Sequence, residues 1–167
     1  MKKKVLVPVL ASIIAVFAVM FLGGTGQTAN AALNNTIMIN KSSGATVYAS
    51  PSSSDPAGRT LSNGTSWAYN SIQIGDSGNT YVMVAPNQWI NTNDTYKLRD
   101  ESGSIYVNRL TYVYSSPTSG LTTQILPANS TWAYNGVARQ WNTSGLPAWV
   151  KVSTNGWVKA GDVAAWK

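Results

Sequence analysis

The residues that could do chemistry in this chain are few in kind. Among its 167 residues there is no His and no Cys. That excludes a Ser-His-Asp triad, a Cys-His pair, an imidazole or thiolate zinc site, haem attachment and a disulfide framework. The acids are Asp55, Asp76, Asp94, Asp100, Glu101 and Asp162. A glycosidase needs two carboxylates flanking one cleft. Asp55 and Asp76 lie in turn-like sequence, and Asp100 and Glu101 sit at a junction between repeats. Asp94 and Asp162 occupy equivalent places in different repeats, so no such pair forms. The oxygen-dense loop that calcium requires is missing as well. No catalytic residue, metal or cofactor is expected. What remains is a recognition chemistry of indoles, phenols and ammonium groups. Its densest expression is Trp149, Lys151, Trp157 and Lys159. Indoles can stack on sugar rings, and ammonium groups can meet phosphates.

These residues travel with an export signal. Met1-Lys2-Lys3-Lys4 precedes an apolar run from Val5 to Leu22, and Ala29-Asn30-Ala31 follows. Charged, apolar and small-residue segments in that order predict a secretory signal peptide over residues 1–31, cleaved after Ala31. An uncleaved anchor is the other reading, because 18 apolar-run residues reach the short end of a bilayer span. Pro8 and the Ala-x-Ala site favour cleavage. Loss of three lysines takes the formal charge from +6 to +3. Loss of Phe17 and Phe21 leaves only Trp and Tyr as aromatics, seven and eight of them. A weak positive charge on an exported chain argues against a nucleic-acid partner.

The mature sequence repeats itself. Val47-Tyr48-Ala49-Ser50-Pro51 returns as Val113-Tyr114-Ser115-Ser116-Pro117, and Ser66-Trp67-Ala68-Tyr69-Asn70 as Thr131-Trp132-Ala133-Tyr134-Asn135. Tyr81-Val82-Met83-Val84 matches Trp149-Val150-Lys151-Val152, and Gln88-Trp89-Ile90-Asn91 matches Gly156-Trp157-Val158-Lys159. Ile37-Met38-Ile39-Asn40 matches Ile105-Tyr106-Val107-Asn108, and Asp94 matches Asp162. The copies span 32–99 and 100–167, with the charged run from Lys97 to Glu101 at the boundary. Short β-branched and aromatic runs between Gly/Asn/Asp turns predict an all-β chain: two small SH3-like barrels or compact sandwiches. Units this small bury only about 60% of their unfolded surface, so the copies are expected to pack together.

A three-residue loop at Thr154-Asn155-Gly156, with Gly at a left-handed bulge position, sets Lys151 opposite Lys159. Val150, Val152, Val158 and Ala160 then share one face, and Trp149, Lys151, Trp157 and Lys159 share the other. A Lys pair directly opposite repels itself, and an anionic ligand would relieve that. The competing reading is a second packed face from which the lysines snorkel. Tyr81 and Trp89 are the copy 1 equivalents of the two indoles. Trp67, Tyr69, Trp132 and Tyr134 alternate on a strand in both copies and read as core. Trp141 and Trp166 have no counterpart, and either close the gap between modules or sit exposed at a glycan face. Arg109, Arg139 and Lys167 extend a basic surface on copy 2 or are scattered solvated charges; Arg109 joins the candidate ligand-binding set.

The pattern Trp-Val-Lys-Val, turn, Trp-Val-Lys-Ala-x-Asp-Val at Trp149–Val152 and Trp157–Val163, with Val-Tyr near each copy's start, resembles a known family. It is similar to the surface-layer protein attachment (SLAP) domains of lactic acid bacteria and, more broadly, to bacterial SH3-like cell-wall modules. The resemblance covers the mature chain. It implies a non-catalytic secreted protein at the bacterial cell wall surface, associated with the S-layer. Its implied partner is an anionic wall polymer, teichoic acid or polysaccharide, with other S-layer proteins as further partners. Two departures stand out. The copies net only +1 and +2, and copy 1 carries Met83 and Asn91 where copy 2 carries Lys151 and Lys159. No passenger domain is expected. The alternative is a structural protein of the cell surface that self-assembles or binds another surface protein.

Overall fold

The computed structural model describes residues 34–52, 54, 56–141 and 143–166. The leader expected at 1–31, with its cleavage at Ala31, lies outside the described residues, as do Asp55 and Lys167. The chain is all-β, as its short alternating runs require. The first repeat forms β1 (Thr36–Ile39), β2 (Ala45–Tyr48), β3 (Pro56–Leu61), β4 (Ser66–Ala68), β5 (Ser71–Ile74), β6 (Thr80–Ala85), β7 (Gln88–Asn91) and β8 (Thr95–Arg99). The second forms β9 (Gly103–Val107), β10 (Thr111–Tyr114), β11 (Leu121–Leu126), β12 (Ser130–Tyr134), β13 (Val137–Arg139), β14 (Trp149–Ser153), β15 (Gly156–Lys159) and β16 (Ala165–Trp166). Single 3-10 turns at Thr92–Asp94 and Ala160–Asp162 precede β8 and β16.

All strand pairs are antiparallel. They build an eight-stranded sheet in the order β11-β10-β15-β14-β13-β8-β1-β4, a five-stranded sheet β3-β2-β7-β6-β5 and a three-stranded sheet β12-β9-β16. The sequence repeat accounts for these numbers. β3-β2-β7-β6-β5 corresponds strand for strand to β11-β10-β15-β14-β13, and β4-β1-β8 to β12-β9-β16. The eight-stranded sheet is the second repeat's five-stranded unit fused to the first repeat's three-stranded unit. The fusion is β8 against β13, with Arg99 opposite Val137, Leu98 opposite Ala138 and Lys97 opposite Arg139. The charged run from Lys97 thus begins inside the strand that joins the two repeats and ends between β8 and β9.

Alternation gives this long sheet two working faces. On one, Ile37 and Ile39 enter a core with Val47, Leu61, Val82 and Ile90, and Val137, Val150 and Val158 enter a second core with Ile105, Val107, Val113 and Leu126. On the other, Met38, Leu98, Ala138, Trp149 and Trp157 form a third buried cluster that spans both repeats.

Candidate functional site

The Trp/Lys constellation sits on β14 and β15, in the middle of that second face. The observed register is Trp149 opposite Lys159, Val150 opposite Val158, Lys151 opposite Trp157 and Ser153 opposite Gly156, with a shift between Lys151 and Ser153. This corrects the expected pairing. The turn holds two residues, Thr154 and Asn155, and would by itself set Lys159 against Val150. A bulge at Val152 adds one residue and restores the segregation of faces. The faces expected from sequence therefore survive, but the register differs by two residues, and Lys151 and Lys159 are diagonal neighbours rather than a facing pair. Diagonal neighbours lie ~7–8 Å apart, farther than directly opposed residues, so the repulsion expected of a facing pair is relaxed.

Gly156 also has a different purpose from the one expected. It does not adopt a left-handed φ; instead, a Cβ there would collide with Ser153 Oγ and lie 3.1 Å from Val113 Cγ1. Close approach of the turn to the core selects glycine. The first repeat makes the same bulged hairpin, with Tyr81 opposite Asn91 and Met83 opposite Trp89, and turns through Asn87 at φ 56°.

The indoles are buried. Trp149 is 8% exposed and Trp157 5%; the equivalents Tyr81 and Trp89 are 6% and 7%. Trp149 meets Tyr114 edge-to-face at 5.1 Å between centroids, and the first repeat reproduces this contact as Tyr48–Tyr81 at 5.7 Å. These four rings offer little open face to a sugar, and their geometry is that of a packed layer. Among the described residues, only the second repeat places a cation over the pair. Lys159 Nζ lies 5.2 Å from the Tyr114 centroid and 5.7 Å from that of Trp149. Lys159 is exposed and Lys151 half-buried. Neither has a carboxylate partner among the described residues.

The open ring is one that sequence reasoning missed. Tyr112, opposite Ile125 on β11, is 53% exposed and shares the face of Tyr114, Lys151 and Lys159. The alternation of Thr111-Tyr112-Val113-Tyr114 was the available signal, since Val113 is core and its neighbours must face away.

Arg109 stands elsewhere. Its Nη2 pairs with Asp162 Oδ1 at 2.8 Å, as Lys41 Nζ pairs with Asp94 Oδ2 at 3.1 Å in the first repeat. Each pair fastens the turn after a repeat's first strand to its 3-10 turn. The structure does not bring Arg109 to the lysine face.

The two unmatched tryptophans are both accounted for by packing. Trp141, from the second repeat, lies against the first repeat's core. Its Nε1 donates to Thr95 Oγ1 at 2.8 Å, its ring packs on Tyr69 at 5.9 Å, and Lys97 Nζ sits 4.8 Å above it. Burial, and then the charge of Arg99, lower the Lys97 pKa below its ordinary 10.5. Arg139 is tied down beside it, with Nη2 on Glu101 Oε2 at 2.7 Å and Nη1 donating to Gly145 O at 2.8 Å. Trp166 stays within its own repeat, edge-on to Tyr134 at 5.8 Å.

No protein family matches the chain, and no curated protein does. Among solved structures, the chain described as Endolysin LysPBC5 CBD is similar, with 13% identity and a TM-score of 0.29 over 84% of this chain and 97% of that one.

Proposed function

We propose that this protein is a non-catalytic, exported cell-envelope protein that attaches to an anionic cell-wall polymer through the second repeat. The observation that carries the reading is the pair Lys151 and Lys159. Both lie on one sheet face, without carboxylate partners among the described residues, and Lys159 is held over the Tyr114–Trp149 ring pair. The buried indoles act as the platform that fixes the ammonium groups. Phosphodiester oxygens meet those groups, and polyol or sugar carbons lie on Tyr112. Teichoic acid or an anionic wall polysaccharide fits this order of contacts, and the resemblance to SLAP domains supports the same class and an S-layer setting. The equivalent face of the first repeat, with Met83 and Asn91 in place of the lysines, contributes support rather than charge.

Sedimentation with purified cell walls tests this. The protein should pellet with intact walls and stay in solution with walls stripped of teichoic acid and anionic polysaccharide. Equal retention by stripped walls would defeat the assignment.

A further inference from the structure

The chain contains one example of how the edge of its five-stranded unit is completed. In the second repeat that unit ends at β13, and β8 of the first repeat pairs with it. Val137 on β13 is consequently fully buried. The corresponding edge of the first repeat is β5, which has no neighbour on its outer side among the described residues. Ile72 corresponds to Val137, because Ile72 faces Val82 as Val137 faces Val150. Yet Ile72 is 48% exposed and Ile74 75%. At the other end, β16 corresponds to β8. It pairs with β9 on one side and has an open outer side among the described residues.

We propose that β16 of one molecule pairs with β5 of a second copy, repeating between molecules the junction that β8 and β13 make within one. The two edges are complementary surfaces of one chain, so each copy has one donor and one acceptor edge, and association is head-to-tail. The partner is a second copy because the internal junction supplies the template. Trp166 faces Ile105 as Lys97 faces Ile37, so the internal register carries Trp166 opposite Ile74. Charge favours this. The internal junction sets Lys97 against Arg139, whereas the intermolecular one sets an indole against an isoleucine. β5, Ser-Ile-Gln-Ile, carries none of the charges or prolines that usually blunt an exposed edge. β3, another edge of the same sheet, carries Pro56, Gly58 and Arg59 and a register shift. The external junction lacks a counterpart of the Trp141 clasp, because the β5–β6 turn Gly75–Asn79 contains no aromatic residue. It is accordingly weaker than the internal one and reversible.

This inference does not rest on wall binding, and one experiment separates the two. Multi-angle light scattering over increasing protein concentration should show the average mass rising past that of a dimer. Ile74→Lys, at an exposed position, should remain monomeric at the same concentrations, with an unchanged near-UV circular dichroism spectrum and unchanged sedimentation with walls. Because that variant keeps its donor edge, adding it in equal amount to the parent should shorten the parent's oligomers. A parent that stays monomeric at about millimolar concentration overturns the proposal, since edge contacts weaker than that bind nothing of use. So does a mass that stops at the dimer, which indicates a symmetric contact, and so do oligomers that survive Ile74→Lys.

Discussion

Replacing Trp141 by Ala removes the side chain through which the second repeat reaches the core of the first. The indole donates to Thr95 Oγ1, packs on Tyr69 and lies under Lys97. A hydrogen bond of this kind contributes about 1 kcal/mol, an aromatic pair about 0.5–1.5 kcal/mol and a half-exposed cation–π contact about 0.5–1 kcal/mol. Trp141→Ala should therefore cost about 2–3.5 kcal/mol, at or under the low end of the roughly 3–5 kcal/mol of a fully buried Trp. Urea unfolding followed by far-UV circular dichroism measures the loss. Trp141→Phe keeps a ring on Tyr69 and loses the Thr95 bond, so it should recover roughly half of the loss. Because β8 and β13 share a sheet, the parent should unfold in one transition, with tryptophan fluorescence and circular dichroism coincident. A loss under about 0.5 kcal/mol, the scale of a bland surface substitution, would refute the seam as an energetic link. So would two separated transitions in the parent.

Three further outcomes follow from particular contacts. Gly156→Ala should destabilise by about 1–3 kcal/mol, and adding Ser153→Ala should recover part of it, because Ser153 Oγ is what the new methyl meets first. Arg109→Ala and Lys41→Ala should each cost under about 1 kcal/mol, as solvent-exposed ion pairs do, and both should leave wall binding unchanged in the sedimentation assay. Lys97 titrates below 10.5 in the folded chain, so the unfolded chain binds more protons between that lowered value and 10.5. Stability from this group rises as pH climbs through the window. Lys97→Met, facing Arg99, Arg139 and Trp141, should abolish that rise, seen as the change in parent-minus-variant urea midpoint between pH 7 and pH 10.5.

The division of faces was legible in sequence because period-2 alternation survives any even shift of register. That is why Trp149, Lys151, Trp157 and Lys159 were rightly placed together while their partners were not. The bulge at Val152 leaves no local signature, and Gly156 suggested a left-handed turn although its use is close approach to Ser153 and Val113. The burial of Trp149 and Trp157 was equally hidden. It involves Ala138, set beside Trp149 by the β13–β14 pairing, and Leu98, which the β8–β13 pairing brings into the same cluster. The charged run from Lys97 to Glu101 carries no sign that its first half is a strand paired with β13, because that pairing depends on a partner strand distant in sequence. Alternation with core Val113 gives the face of Tyr112 but not its exposure, which depends on what the neighbouring strands leave uncovered.

If Lys151 and Lys159 carry the attachment, the apparent affinity of the Lys151→Ala, Lys159→Ala double variant for purified cell walls should differ from that of the parent. Loss of two charge-assisted contacts should weaken binding by about tenfold or more, with the near-UV circular dichroism of the packed Trp149–Tyr114 pair retained. The parent's affinity should also fall as added salt shortens the screening length below about 8 Å. A double variant that folds normally and pellets with walls as well as the parent contradicts the account.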